Sequence, residues 1–239
     1  MRRRFFVEQF ADNAAVMEGE AAHHLGHVLR AQTGQLYELS DGERVWLGRI
    51  ENVSRNRVQF ALVEQLPAVH PTVDVTLLLS IVKFDAFEWA IEKATELGVH
   101  AIIPLAAERS EKALLTAATK RAERWKKILL EASQQSRRVR VPTLYPLGLL
   151  DEAFSRGTGT IRLCLSERTE APPLKTALSS VIAQSATLAI GPEGGWTDRE
   201  LEVARQNEFR PVSLGRLILR TETAVIVALA SLNYALNDK

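Results

Sequence analysis

The run VDVTLLLSIVK, Val73 to Lys83, constrains this chain more than any other stretch. It is a near-continuous apolar run, as a strand covered on both faces would be. The next segment, DAFEWAIEKATELG, changes period. Phe87, Ala90, Ile91, Ala94 and Leu97 recur at helical spacing, and Gly98 stands where a C-terminal cap belongs. A doubly buried strand followed at once by an amphipathic helix opens a crossover unit, and such units in series build a parallel sheet flanked by helices. The alternation continues to the C-terminus. HAIIPL reads as a strand, and TAATKRAERWKKILLEASQQS as one long helix with Trp125, Ile128, Leu129 and Ala132 on one face. TIRLCLS and ATLAI read as strands, TDRELEVARQN as a helix, PVSLG as a last strand and TETAVIVALASLNYAL as a closing helix. An α/β domain with a parallel sheet is therefore expected over residues 71–239.

The N-terminal part follows a different period. QLYELSDGERVWLGRIENVSRNRVQFALVEQL alternates apolar and polar residues, with turn signals at DG and SRN. One helix-like insert, EGEAAHHLGHVLR, lies between Glu18 and Arg30. A sheet with one short helix in so few residues predicts a small β-barrel domain over residues 1–70. LPAVHPT, Leu66 to Thr72, reads as a linker, because its prolines favour extended backbone and cannot extend a ladder.

Composition narrows the class. No apolar run reaches the roughly 18 residues that a membrane helix needs. The start, MRRRFFVEQF, has too short an apolar part for a signal peptide and no small-residue cleavage site after it. The single cysteine, Cys164, excludes an internal disulfide framework and suits a reducing compartment, so a cytoplasmic protein is expected. The net charge is only +1, but positive charge is bunched in RRR (Arg2 to Arg4), KRAERWKK (Lys120 to Lys127) and RRVR (Arg137 to Arg140). Such clusters can neutralise phosphates in a nearly neutral chain. KRAERWKK reads first as a solvated helix face. For SRRVRVP a solvated helix face with its C-terminal dipole partners and an anionic partner stay evenly balanced.

Three strand ends carry the chemistry. IGPEGGWTDREL places Ile190, Gly191, Pro192, Glu193, Gly194 and Gly195 between a strand and a helix. Thr197 and Glu200 form a capping-box pattern that starts that helix. The loop thus lies at the carboxyl end of a parallel strand, where open α/β sheets bind ligands. Glycines there let backbone groups touch a ligand. The loop matches neither common phosphate-binding pattern, and a plain strand-to-helix turn is the alternative. SLGRLILRTETA, Ser213 to Ala224, follows the last strand. Gly215 allows a turn. Arg220, Thr221, Glu222 and Thr223 crowd polar groups before a very apolar helix. Thr221 suits a cap, and Glu222 suits the positive helix end. LCLSER, Leu163 to Arg168, closes a third strand. Together the three ends outline one pocket.

At these residues the chain resembles the SPOUT methyltransferases. IGPEGGWTDREL followed by LGRLILRTETA looks like their two signature segments. The likeness is greatest to the RsmE type, which methylates ring nitrogen 3 of a uridine in 16S rRNA. RRFFV and HHLGHVLR resemble that family's N-terminal, PUA-like RNA-binding domain. KFDAFEWAIEKATELGV, ERS and EASQQSRRVRVP resemble its middle motifs. Phe84 stands where relatives often have glycine, Ala86 where they often have a basic residue, and Arg137 where many have glycine.

The resemblance implies a SPOUT-type parallel sheet with a trefoil knot, a homodimer, and S-adenosylmethionine as cofactor. It implies 16S rRNA of the 30S subunit as substrate, at a uridine of the decoding region. Carried over, the cofactor site falls on Leu165 and Glu167, on Ile190, Gly191, Pro192, Glu193, Gly194 and Gly195, and on Leu214, Gly215, Leu217, Leu219, Arg220, Thr221, Glu222, Thr223 and Ala224. An enzyme of this fold acting on another RNA, or a non-catalytic RNA-binding assembly factor, are the rival readings.

A uracil N3–H is an imide proton, and the nitrogen becomes a good nucleophile only as that proton leaves. A carboxylate can take the proton, and an arginine can stabilise the anion on O2 or O4. Glu193 and Glu222 are candidates for the first role, with loop support or cofactor binding as the alternative for each. Arg220 is the candidate for the second. RNA contacts are expected, by resemblance, from Arg3, Arg4, His24 and Arg30 in the small domain and from Lys83, Arg109 and Arg138 in the large one. His23 and His27 have the i, i+4 spacing of helical zinc ligands, but no third ligand is evident near them, and no metal is expected.

Overall fold

A computed structural model describes residues 3–179 and 183–236. Arg2 of the first basic cluster lies outside them. The chain forms two compact units: Met1–His70 with Ser133–Val141, and Pro71–Ala132 with Pro142–Lys239.

In the first unit β1 (Arg4–Phe6), β2 (Phe10–Ala11) and β3 (Ala14–Glu18) precede the insert, and β4 (Leu36–Ser40), β5 (Val45–Ser54) and β6 (Arg57–Leu66) follow it. They make one sheet in the order β1-β4-β5-β6-β3-β2. The pairs are antiparallel except β1 with β4, which run parallel with Arg4 opposite Glu38. Where a barrel is expected, the described residues form a six-stranded sheet in which no ladder is seen between the edge strands β1 and β2. Phe5, Leu25, Leu39, Ile50 and Phe60 fill its core. Gly48 lets β5 pack closely there, because a Cβ would lie 2.5 Å from a Leu39 methyl carbon and force that buried side chain to shift. The insert folds as α1 (Gly19–His23) and then a π-helical turn over His24–Val28. Gly26 brings that turn close to β5, where a Cβ would meet Val53 at 3.0 Å.

The second unit alternates as its periodicity predicts. Its elements are β7 (Asp74–Ser80), α2 (Phe84–Glu96), β8 (Ala101–Leu105), α3 (Lys112–Ala118), α4 (Ala122–Gln135), β9 (Thr143–Leu144), α5 (Leu150–Ser155), β10 (Ile161–Leu165), α6 (Leu174–Leu178), β11 (Ser185–Ile190), α7 (Asp198–Gln206), β12 (Arg210–Val212) and α8 (Thr221–Leu236). The sheet order is β12-β10-β11-β7-β8-β9, and every pair is parallel. Leu77, Leu78 and Leu79 of β7 are fully buried, as a strand covered on both faces must be. The long helix expected over TAATKRAERWKKILLEASQQS is not one piece: α3 and α4 are joined by a 3-10 turn at Thr119–Arg121. β9, α5 and α6 are too short to carry a periodic signal. No helix among the described residues is long and apolar enough to cross a membrane.

Candidate cofactor cleft and basic surfaces

The carboxyl ends of β10, β11 and β12 and the loops after them line one cleft. Two devices shape it. The first is Trp196, buried beneath the glycine loop, whose indole Nε1 donates to the Leu165 carbonyl at 2.8 Å. The loop lies directly on that ring: a Cβ at Gly191 would sit 3.0 Å from it. The second is Gly195. Its φ of +68° suits glycine, and a Cβ there would meet Glu167 Oε1 at 2.6 Å. The turn is closed by the Gly195 N–H donating to the Pro192 carbonyl at 2.8 Å.

Glu200 anchors the same loop from below. The capping box is formed: the Glu200 N–H donates to Thr197 Oγ1 at 3.2 Å, and the Thr197 N–H donates to Glu200 Oε2 at 2.7 Å. The other oxygen, Oε1, accepts the Glu108 N–H at 2.8 Å. This fully buried carboxylate therefore ties the loop after β8 to the start of α7. Burial, then the nearby Glu200, pushes the Cys164 thiol far above its ordinary range. From the β8 loop Arg109 donates to the Gly194 carbonyl.

Of the expected cofactor residues, Leu165, Glu167, Ile190, Gly191, Pro192, Glu193, Gly195, Leu214, Gly215, Leu217, Leu219, Thr221 and Ala224 line the cleft. Gly194, Arg220, Glu222 and Thr223 do not. Gly194 faces Arg109. Arg220 and Thr223 are exposed, and Glu222 sits half-buried in the first turn of α8. Thr221 is not the cap expected of it. It is already helical, and its hydroxyl donates across to the Gly191 carbonyl at 3.3 Å, joining the two signature loops. Ser166, Arg168, Trp196, Val212 and Ile218 complete the lining. Trp196 and Ile218 lie within the quoted motifs, but nothing in their spacing separates wall from neighbour.

The expected RNA contacts fall on both units. In the second, Lys83 is exposed just before α2, and Arg109 is exposed beside Gly194. In the first, Arg3 and Arg30 are exposed, and His24 is half-buried in the π turn. Arg4 is a correction. Its guanidinium is buried, bonds Glu38 through Nε at 3.2 Å and Nη2 at 2.9 Å, and donates from Nη1 to the Arg137 carbonyl at 2.6 Å. A side chain so committed faces the unit's own polar groups. Arg138, expected in the large domain, belongs to the first unit; it is half-buried and donates from Nε to the Arg140 carbonyl at 3.1 Å. Burial, then repulsion from Arg140, lowers it to about 10. His23 and His27 stack with ring centroids 4.7 Å apart. Among the described residues no three or more His, Cys, Asp or Glu side chains converge on a metal position.

The chain is similar to known proteins over most of its length. Residues 69–233 match the RNA methyltransferase domain family, and residues 18–63 match the RNA methyltransferase PUA domain family. A Synechocystis protein named ribosomal RNA small subunit methyltransferase E is 36% identical over 97% of this chain and 76% of its own length. The crystal structure of a ribosomal RNA small subunit methyltransferase E from Neisseria gonorrhoeae, bound to S-adenosylmethionine, is 28% identical, covers 99% of this chain and 98% of its own, and superposes with a TM-score of 0.87. A Legionella pneumophila protein whose structure holds the same bound cofactor is 29% identical with full coverage of both chains and a TM-score of 0.89.

Proposed function

The chain belongs to the RNA methyltransferase family, and on that premise we propose that it methylates N3 of a uridine in the 16S rRNA of the 30S subunit, using S-adenosylmethionine. The observation that carries this reading is the meeting of both signature loops in one cleft at the carboxyl edge of a parallel sheet.

The cleft fits the cofactor. Leu165, Ile190, Leu214, Leu217, Leu219 and Ala224 offer an apolar wall to an adenine ring. Glu167, exposed at the lip, can accept from ribose hydroxyls. The glycine loop exposes backbone groups rather than side chains. When bound, the cofactor supplies a methyl group already activated by its sulfonium. The protein's tasks are then alignment, with the attacking nitrogen held about 3 to 3.5 Å away, and charge handling. Glu193 is the proton acceptor on this reading, because it lines the cleft and Glu222 does not. Arg220, between the cleft residues Leu219 and Thr221, stabilises the uracil anion.

Residues 1–70, joined by Ser133–Val141, serve as the RNA-binding domain and the rest of 71–239 as the catalytic domain, with the trefoil knot of the SPOUT methyltransferases, in the cytoplasm. Exposed basic residues of each unit contact phosphates. A uridine N3 edge inside folded rRNA is hidden by pairing or stacking, so the base must be splayed out. A second copy of the chain packs on α8, whose outward Val227 and Tyr234 are 36% and 84% exposed and border an apolar groove with Leu174 and Leu178 of α6. The test is incorporation of labelled methyl into unmodified 30S subunits. Transfer to the rRNA is expected. Cofactor binding without transfer would point to another RNA, and neither binding nor transfer would leave a non-catalytic RNA-binding factor.

A further inference from the structure

The stretch Ser133–Val141 belongs to the small unit, although some sixty residues of the other unit come before it in the chain. At its centre Arg137 has φ +55°, a conformation that favours glycine. The turn has the hydrogen bond of a helix C-terminal motif, with the Arg138 N–H donating to the Ser133 carbonyl at 3.0 Å. An arginine in that position needs a reason in its surroundings.

The surroundings supply one. Arg4 on β1 and Glu38 on β4 are register partners. Arg4 donates to the Arg137 carbonyl at 2.6 Å while it holds Glu38. The other oxygen of Glu38 pairs with the Arg137 guanidinium at 3.5 Å. Glu38 is itself buried, so its charge is compensated by two arginines, one of which belongs to the turn. Two residues along β4, the Ser40 hydroxyl donates to the Val139 carbonyl at 2.5 Å. Glu38 and Ser40, two alternate residues of β4, thus grip the turn together, because alternate residues of a strand share one face.

We infer that Arg4, Glu38 and Ser40 are positioning residues, which hold the Arg137–Arg140 turn against the sheet edge so that Arg138 and Arg140 are set out for the phosphate backbone of RNA. This rests on the proposed function for its RNA partner. The holding itself does not. Arg4 then acts on RNA through the turn and not by contact.

The test uses the full chain and two variants that touch no arginine. Glu38→Gln keeps the shape and removes the charge. Ser40→Ala removes one hydroxyl, which also accepts the Gly42 N–H, and decides the matter if Glu38→Gln fails to fold. Three quantities are read: tryptic cleavage after Arg137, Arg138 and Arg140, affinity for unmodified 30S subunits, and affinity for S-adenosylmethionine. In both variants we expect cleavage in the turn about tenfold faster and 30S binding about tenfold weaker, with cofactor binding unchanged. Unchanged cleavage would overturn the holding. Faster cleavage with unchanged 30S affinity would overturn the link to RNA. Equal loss of cofactor binding would show general destabilisation and overturn the positioning role. A wild-type chain that does not bind 30S subunits would remove the proposed function instead, and the cleavage result would still judge the holding.

Discussion

Trp196 and Leu165 are joined by a hydrogen bond of 2.8 Å from the indole Nε1 to the backbone carbonyl, so the residue that ends the glycine loop is fastened to the end of β10. The bond crosses from one cleft-forming loop to the strand before another. It makes the cleft wall a property of packing as well as of the glycines.

Replacing Trp196 by Phe keeps an aromatic ring but leaves the Leu165 carbonyl only the long contact from the Cys164 thiol, at 4.0 Å. An unsatisfied buried acceptor costs about 1–3 kcal/mol. Chemical denaturation should register that loss, and calorimetry should show weaker S-adenosylmethionine binding in the folded variant. Unchanged cofactor affinity would contradict the role given to this bond.

Gly195→Ala should weaken cofactor binding about tenfold or more, because the new Cβ meets Glu167 Oε1 and the left-handed φ is unsuited to alanine. The contact is with the far end of an exposed side chain, so the left-handed backbone carries most of the cost, and denaturation of Gly195→Ala should show lower stability as well; unchanged stability and cofactor affinity would contradict this.

Glu200→Gln places an amide NH2 where two backbone N–H groups now meet two carboxylate oxygens. One of those N–H groups loses its acceptor, at a cost of about 1–3 kcal/mol. Hydrogen exchange should quicken at Glu108 or Thr197, and protection equal to wild type at both would contradict the clamp.

Cys164 should label slowly with a thiol reagent. Its thiol is pushed above the ordinary value of 9.0, so the reactive thiolate is scarce at pH 8, and the side chain is buried. The sign for stability follows. A raised folded pKa favours the protonated native form, so this contribution is intact below 9.0 and is lost as pH rises beyond it. Labelling in urea should be faster by orders of magnitude, and equal rates would show the thiol open in the native state.

Arg220→Ala should nearly abolish methyl transfer in a protein that still folds and binds its cofactor. Full activity would remove Arg220 from the chemistry. Arg138→Ala should weaken 30S binding more than cofactor binding, and equal loss of both would count against that split.

Much of this was legible in the residues. The doubly buried strand at Leu77 to Leu79 and the helical spacing from Phe87 to Leu97 define the parallel sheet. Gly191 and Gly195 announce a close backbone approach, and Thr197 with Glu200 announces a helix start. What was not legible depends on distance along the chain. Glu200 reads as half of a local cap, and its second partner, Glu108, is 92 positions away. Arg4 reads as one of three clustered arginines, and only strand pairing shows Glu38 beside it. Thr221 suits a cap by position, but the nearness of Gly191 gives its hydroxyl another acceptor. Local patterns report local hydrogen bonds, and these three bonds are tertiary.

The most direct measurement is a map of the methylated nucleotide. Unmodified 30S subunits are treated with the protein and S-adenosylmethionine, and the 16S rRNA is read by primer extension. A methyl group on N3 blocks Watson–Crick pairing and stops reverse transcriptase. The account predicts one new stop, at a single uridine of the decoding region near the 3′ end. Methyl incorporation without any stop, or a stop at a base other than uridine, would contradict it.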